Sequence, residues 1–557
     1  SYNYNAYSKF GAAGIWQFTR GTGKNYMKID YTLDERRDPI LATHAAAKYL
    51  KKNYEHLGSW PIALTAYNHG ANGMARAKKE VGNDYAAIFK RYTGKSFGFA
   101  SRNFYSEFLA ACEVAGNYKK YFGELALHPP VKRVTIPMSS YASVSDISKF
   151  YKVTKEQIEE MNPALRKPVF QGQKYIPKGY SLNLPGTKRS PLEIAQNIPK
   201  DLLKTKQKPT RFYRVQKDDT AGRIAEREGI SLKELILANQ LDSNARIVVG
   251  QHLRIPAPEE KLLLASISRQ DQEQNKNSRK NQIQEPVEKT EPKKQEQPAA
   301  KETADILDKS ISQPVKEVPP PAVAVKEPPV PSSGQDQNEI LIADSGNHKV
   351  KESPPPAIVT EEPPAPSAST DKKEAVTADS GNHPDETRLS TSESSNATPG
   401  IMNPSVLTGH LEVEKVVKQG KSFYGIIRVE AEETLGHYAD WLELPTMKLR
   451  NMNGMRFGKP IHMDQKIKIP FTKVSKDEFE EKRYEFHKGI EEDFFSAFRI
   501  VKVKNYQVKD GDNIWKICLQ TLDLPLWLVK KYNPDQDLNN LTSKTILKIP
   551  VVKKIEE

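Results

Sequence analysis

The sequence predicts a multidomain protein: an α-helical domain, then small α+β (β-α-α-β) modules, with a long disordered linker among them. Three observations predict it. Residues 1–125 carry apolar residues at helical spacing between capping signals, with no strand alternation of useful length. One weak pattern of strand, polar turn, two short helices and strand recurs four times. Residues 258–408 contain no Phe, Trp or Tyr and hold 20 of the chain's 39 prolines. Such a stretch cannot bury enough apolar surface to offset its ordering entropy.

In the first region, Asp38-Pro39 is a strong helix start, with Asp as N-cap and Pro at the first helical position. Ala46, Leu50, Tyr54 and Leu57 follow near helical spacing, and Gly58 is a stop signal. Trp60-Pro61 opens a short apolar segment ending at Asn68-His69-Gly70. A last helix is expected near Arg102, with Phe104, Phe108, Ala111, Cys112 and Ala115 on one face. On that face Cys112 reads as a small buried hydrophobe.

The clearest repeat runs Tyr213-Arg214-Val215, Asp219-Thr220, Ile224-Ala225, Leu235, Asn239, Gly250-Gln251 and Leu253-Arg254-Ile255-Pro256, within 211–257. Another, within 504–552, runs Tyr506-Gln507-Val508, Asp510-Gly511-Asp512, Ile514-Trp515, Leu528, Asn533-Pro534 and Leu547-Lys548-Ile549-Pro550. Fainter copies cover 426–471, with Thr434-Leu435 and Asn453, and 131–185, with Ile147 and Asn162-Pro163. Alternation in Tyr213-Arg214-Val215 predicts a half-buried strand, and the Asp-Thr pair after it a helix N-cap. The linker, 258–408, has Pro-rich runs such as Pro319-Pro320-Pro321 that predict extended spacers, and Ala343–His348 recurs at Ala378–His383.

Composition excludes some classes. Two cysteines, in separate regions, give no disulfide framework and no metal-ligand spacing. No run of about 18 apolar residues predicts a membrane span. The chain opens at Ser1 without an initiator Met, which leaves room for a targeting segment upstream. A formal net charge of +14 favours an anionic partner without choosing among nucleic acid, headgroups and acidic wall polymers. Basic and aromatic residues do not interleave as a nucleic-acid binder would require.

Three motifs remain in the helical region. They are Ser8-Lys9-Phe10-Gly11-Ala12-Ala13-Gly14-Ile15-Trp16-Gln17-Phe18, Ala66-Tyr67-Asn68-His69-Gly70 and Arg102-Asn103-Phe104-Tyr105. Each alone is ordinary packing or capping. Their order and spacing resemble the lysozyme-like lytic transglycosylases that cleave peptidoglycan glycan strands. In that family the pattern runs Glu-Ser-x-aromatic-Asn, a serine, Gly-x-x-Gly-(Leu/Ile)-(Met/Trp)-Gln, then Ala-Tyr-Asn-x-Gly. Tyr2-Asn3, Ser8, Gly14-Ile15-Trp16-Gln17 and Ala66–Gly70 match it. The Ile-Trp-Gln variant, Arg36-Arg37-Asp38 and the repeats, which resemble LysM modules, point to the membrane-bound D group.

The resemblance implies a bacterial cell-envelope enzyme of the periplasm, acting on peptidoglycan and holding GlcNAc-containing oligosaccharides with its LysM modules. It implies no cofactor and no metal. A single glutamate would protonate the MurNAc-GlcNAc β-1,4 linkage, then act as base while the muramoyl C6 hydroxyl attacks, leaving a 1,6-anhydro end. Such an acid needs an apolar, partly desolvated setting, which Tyr2, Ile15, Trp16 and Tyr67 would supply. By the motif, this Glu falls two positions before Ser1, so the sequence as it stands is expected to bind wall with little or no turnover. A second departure is Ala100-Ser101-Arg102, where many relatives have Glu-Thr-Arg. Carried over by position, Ser8 would bond the glutamate or an N-acetyl group, and Gln17 and Asn68 would bind substrate polar groups. Tyr67 would lie beside the cleaved bond, and Tyr105, or Phe104, would line the cleft. The rival readings are a lysozyme-type hydrolase and a non-catalytic wall-binding scaffold.

Overall fold

The computed structural model describes residues 3–126, 129, 131–186, 198–242, 244–257, 260, 407–420 and 422–555. Tyr2 and almost all of the 258–408 linker lie outside the described residues.

The first domain is built from helices α1 (Arg20–Gly23), α2 (Pro39–Leu57), α3 (Trp60–His69), α4 (Ala71–Val81), α5 (Tyr85–Arg91), α6 (Phe99–Gly116) and α7 (Tyr118–Phe122). As the capping signals predict, the Asp38 carboxylate accepts from the amides of Ile40 at 2.9 Å and Leu41 at 3.0 Å. Gly58 ends α2 in the left-handed region at φ 72°. Leu57, Ile62, Ala66, Met74, Ala77 and Ile88 form one apolar core. Phe18, Met27, Ile29, Ala42, Ala45 and Ala46 form a second, edged by Trp16, Tyr49 and Tyr67.

The last helix corrects the sequence reading. Phe104 is half-buried, but Phe108 and Leu109 are exposed, and so is Cys112. The reason is length. α6 packs on α3, but α3 has 10 residues and α6 has 18, so at about 1.5 Å per residue α6 outruns its support.

Four segments then repeat strand, two helices and strand. The outer strands pair antiparallel as Arg133–Pro137 with Ser181–Pro185, Arg211–Arg214 with Gln251–Ile255, Ser422–Arg428 with Lys466–Pro470, and Phe498–Gln507 with Ile546–Lys554. In each, an asparagine ending the second helix ties it to the closing strand. Asn239 Nδ2 donates to the Arg254 carbonyl at 2.8 Å and its Oδ1 accepts from the Arg254 amide at 2.7 Å. Asn162 makes the same pair with Asn183, Asn453 with Lys468, and Asn533 with Lys548. Buried backbone groups must find partners, and one amide side chain serves both. The expected N-cap also forms: Thr220 Oγ1 accepts from the Arg223 amide at 3.2 Å.

The end of the linker is ordered. Leu407–Thr408 pairs with His252 and Gln251 as an added strand, so the expected boundary at 408 is one strand too late. Leu407 is buried beside Leu411 and Tyr484, and that burial holds it.

A 22-residue helix, Lys476–Ala497, has no counterpart in the sequence reading. Ser475 and Glu478 form its capping box. It is buried on several faces, including by charged residues, so it shows no apolar stripe.

Candidate functional site

The loop from Ser8 to Phe18 is held by its own backbone. The Ser8 amide donates to the Ala12 carbonyl at 2.8 Å, Gly14 to Ala6 at 2.9 Å and Ala13 to Phe18 at 3.1 Å. The Ser8 hydroxyl accepts from the Ala12 amide at 2.9 Å, which commits it to the turn. Gly14 sits at φ +75°, where a Cβ would stand 1.8 Å from the Arg36 carbonyl oxygen. Only glycine fits that approach.

Arg36 fastens this loop to the body. Its side chain is fully buried, and Nη1 donates to the carbonyls of Gly11 at 2.7 Å and Phe18 at 2.9 Å. Nε and Nη2 meet the two oxygens of Asp34 at 2.8 and 2.7 Å. Burial alone would raise the Asp34 carboxyl, but Arg36 outweighs it and holds the group well below the usual carboxylate range. The sequence reading noticed Arg36 but gave it no role. Its signal is a basic pair, Arg36-Arg37, between the acids Asp34-Glu35 and Asp38, after a glycine-rich loop.

Tyr67 is the centre of an aromatic floor. Its ring lies 5.4 Å from Tyr49, 5.7 Å from Phe18, 6.0 Å from Trp16 and 6.1 Å from Phe104. Its hydroxyl donates to the Trp16 carbonyl at 2.8 Å. Burial raises its pKa well above that of an ordinary phenol, so it stays neutral. Gln17, exposed at φ +50°, turns its amide NH2 to the Gly14 carbonyl at 2.8 Å. Asn68 accepts from the Ser101 hydroxyl at 2.7 Å.

Tyr67 and Asn68 are neighbours on α3, and Trp16, the residue before Gln17, is tied to Tyr67 through its carbonyl, while the Gln17 amide turns back to its own loop. Ser8 shares the loop but is turned into it. Tyr105 is not brought to Tyr67: its ring packs on Tyr85 at 5.1 Å, while Phe104 stacks on Tyr67. Neighbours on a helix point about 100° apart, so only one of the pair can face the floor, and it is Phe104. Arg102 is structural, with its guanidinium donating to the Phe89 and Tyr92 carbonyls. The grouped side chains offer neutral donors, acceptors and ring faces. Among the described residues no cluster of His, Cys, Asp and Glu could hold a metal ion.

Residues 1–89 match the family model described as Transglycosylase SLT domain, and residues 213–256 match the LysM domain. The chain carries an SLT domain followed by a LysM domain. It is similar to membrane-bound lytic murein transglycosylase D of Escherichia coli strain K12, at 26% identity over 278 residues. The same protein of strain CFT073 matches equally. That stretch is 46% of this chain and spans 58% of the relative's length. A putative tributyltin chloride resistance protein of an Alteromonas species is 36% identical over 87 residues, 15% of this chain and 41% of the relative. The SLT match contains the Gln17 loop, Tyr67 and Asn68. No helix among the described residues is long and apolar enough to cross a membrane.

Proposed function

We propose that the SLT domain binds a peptidoglycan glycan strand over Tyr67 and belongs to an enzyme that cleaves the MurNAc-GlcNAc bond with 1,6-anhydro formation in the bacterial periplasm. The observation that carries this reading is the aromatic floor around Tyr67, tied through the Trp16 carbonyl to the loop that bears Gln17, inside the SLT match. Hydrogen bonds fix what each offers. Because Asn68 Oδ1 takes the Ser101 proton, its NH2 is left to donate outward. Because the Gln17 NH2 is given to Gly14, its Oε1 is left to accept. A sugar ring with an N-acetyl group needs one donor and one acceptor beside an aromatic face. The Tyr67 ring would favour positive charge developing at the anomeric carbon. The Ser8 hydroxyl, already accepting, can still donate to a carboxylate or an acetamido oxygen. None of these groups is the acid, and the family pattern puts that glutamate before Ser1. The LysM domain at 213–256, and with it the 504–552 segment, would hold GlcNAc-containing glycan and raise its local concentration, with the degenerate 131–185 and 426–471 segments as folded spacers.

The test compares this chain with one extended by Glu-Ser before Ser1 on purified peptidoglycan, reading soluble products by mass. Release of anhydromuropeptides by the extended chain alone is the expected result. Reducing-end products would instead mark a hydrolase. If both chains bind wall and neither releases product, the protein is a wall-binding scaffold. Asn68→Ala should weaken oligosaccharide binding by about threefold to tenfold, the worth of one hydrogen bond, as read by titration calorimetry.

A further inference from the structure

The Lys476–Ala497 helix comes after the linker, yet much of what surrounds it comes from before it. Asp493 is buried and accepts from Arg166 at 2.6 Å, Arg37 at 2.8 Å and Arg20 at 3.4 Å. All three arginines precede residue 258. Arg166 also donates to the Gly489 carbonyl at 3.0 Å, and a Cβ on Gly489 would meet its guanidinium at 2.8 Å. Tyr484 stacks on Phe212 at 4.5 Å with ring planes 5° apart. Lys174 pairs with Glu481 at 2.9 Å, and the Tyr31 hydroxyl donates to Glu492 at 3.2 Å. Its other buried groups are met from its own side of the linker: Arg483 by Glu433 at 2.6 Å, and Glu491 by Lys531 at 2.7 Å.

Separating the two sides would strand Asp493 without a cation and Arg166 without its anion. Apolar surface is buried with these charges, in the Phe212–Tyr484 stack and in the cluster of Tyr7 and Ala13 with Phe494, and its return to water opposes parting the two sides. The contact also reaches the loop of the SLT domain. Arg37 follows Arg36, which holds the Gly11 and Phe18 carbonyls. Arg20 begins the helix two residues after Phe18. Ala13, on the loop, and Tyr7, just before it, share an apolar cluster with Phe494, Ile514 and Leu526.

We propose that residues 407–555 are a separately associating part that docks on residues 3–257 through Asp493, and that this docking positions the Ser8–Phe18 loop carrying Gln17. The partner of the Arg20, Arg37 and Arg166 surface is the distal half of the same chain, and Asp493 is a positioning residue for the loop. This stands whether or not the protein cleaves glycan.

A protease site placed between Gly334 and Gln335 of the full chain tests it. After cutting, the two pieces should migrate together in native mass spectrometry and size exclusion at micromolar concentration. Separation of the wild-type pieces would overturn the proposal, and this arm needs no substitution at the interface. In the cut protein, Asp493→Asn should weaken association by about tenfold or more, since it removes the carboxylate that three arginines share. In the uncut protein, the same substitution should speed hydrogen exchange of the Ala13 and Gly14 amides by about tenfold, leaving Met74 and Ala77 on α4 unchanged. Unchanged exchange at Ala13 and Gly14 would refute the positioning role. Should Asp493→Asn not fold, Arg37→Gln, which keeps the Arg166 pair, is read by the same exchange.

Discussion

The SLT loop and the β-α-α-β segments solve one problem in two ways. Both must satisfy backbone groups that no neighbouring strand reaches. The loop uses a buried ion pair, with Arg36 reaching the Gly11 and Phe18 carbonyls and Asp34 balancing it. The segments use neutral asparagines such as Asn239 and Asn533, each closed on its own strand. A neutral clasp is complete within its module and can be repeated. A charged one depends on its neighbours, and here those include Arg37 and, through it, Asp493 from beyond the linker.

Substitutions should separate the two devices. The largest effect is expected from Arg36→Leu, which abandons Asp34 in the interior and frees two carbonyls. A loss of about 3–5 kcal/mol is expected, read by urea denaturation of the SLT domain's signal. Asn533→Ala should cost roughly 2 kcal/mol by leaving the Lys548 amide and carbonyl without their partner. Its effect should stay in the last module, as mapped by hydrogen exchange; spread into α2–α4 would contradict the self-contained clasp.

Acid should tell them apart next. The Asp34 and Asp493 carboxyls lie below their ordinary values when folded, Asp493 because Arg166, Arg37 and Arg20 outweigh the burial that would raise it. A depressed folded pKa gives stability that is full above the unfolded value, near 4, and is lost as pH falls through and below it. Each carboxylate then contributes up to about 1.4 kcal/mol per pH unit. Thermal melts from pH 6 down to pH 3 should show the SLT signal falling ahead of the 213–256 LysM domain, with the 426–471 segment, where Arg483 holds the buried Glu433 carboxyl low, falling alongside it; the gap to the LysM domain should shrink in Asp493→Asn. The smallest effect is reserved for the module turns. The Tyr213 hydroxyl donates to Asp219 at 2.7 Å and that of Tyr506 to Asp512 at 2.8 Å. Phenylalanine at either site should cost about 1 kcal/mol, equal for the two modules if the clasp is independent of setting.

What the sequence makes legible follows the same division. Self-contained devices show in local pattern. The Asn239 and Asn533 positions, the Thr220 N-cap and the Asp38-Pro39 helix start all read correctly because each acts within about fifteen residues. Gln17, Tyr67 and Asn68 stand out as a set only through the family's spacing. Three things were hidden for physical reasons. The Lys476–Ala497 helix carries buried charge on faces that ordinarily meet water, so the periodicity that betrays a helix is missing. The choice of Phe104 over Tyr105 depends on a rotation of one residue that two adjacent aromatics cannot report. The exposure of Cys112 depends on where α3 ends, which α6 itself does not encode.

The added strand Leu407–Thr408 bears on how this protein can change over generations. Glu260 still pairs with Arg254 of the Gln251–Ile255 strand at 2.6 Å, and the chain rejoins that strand at Leu407–Thr408, so both ends of the interval are anchored on one strand. For a connection of its Pro-, Glu- and Ser-rich composition, closure entropy grows only with the logarithm of length, about 0.6 kcal/mol per doubling. Insertions, deletions and duplications such as the repeated Ala343–His348 hexapeptide therefore pass almost unseen by folding selection. The interval is a stretch where new sequence can accumulate on an old scaffold at little risk to it.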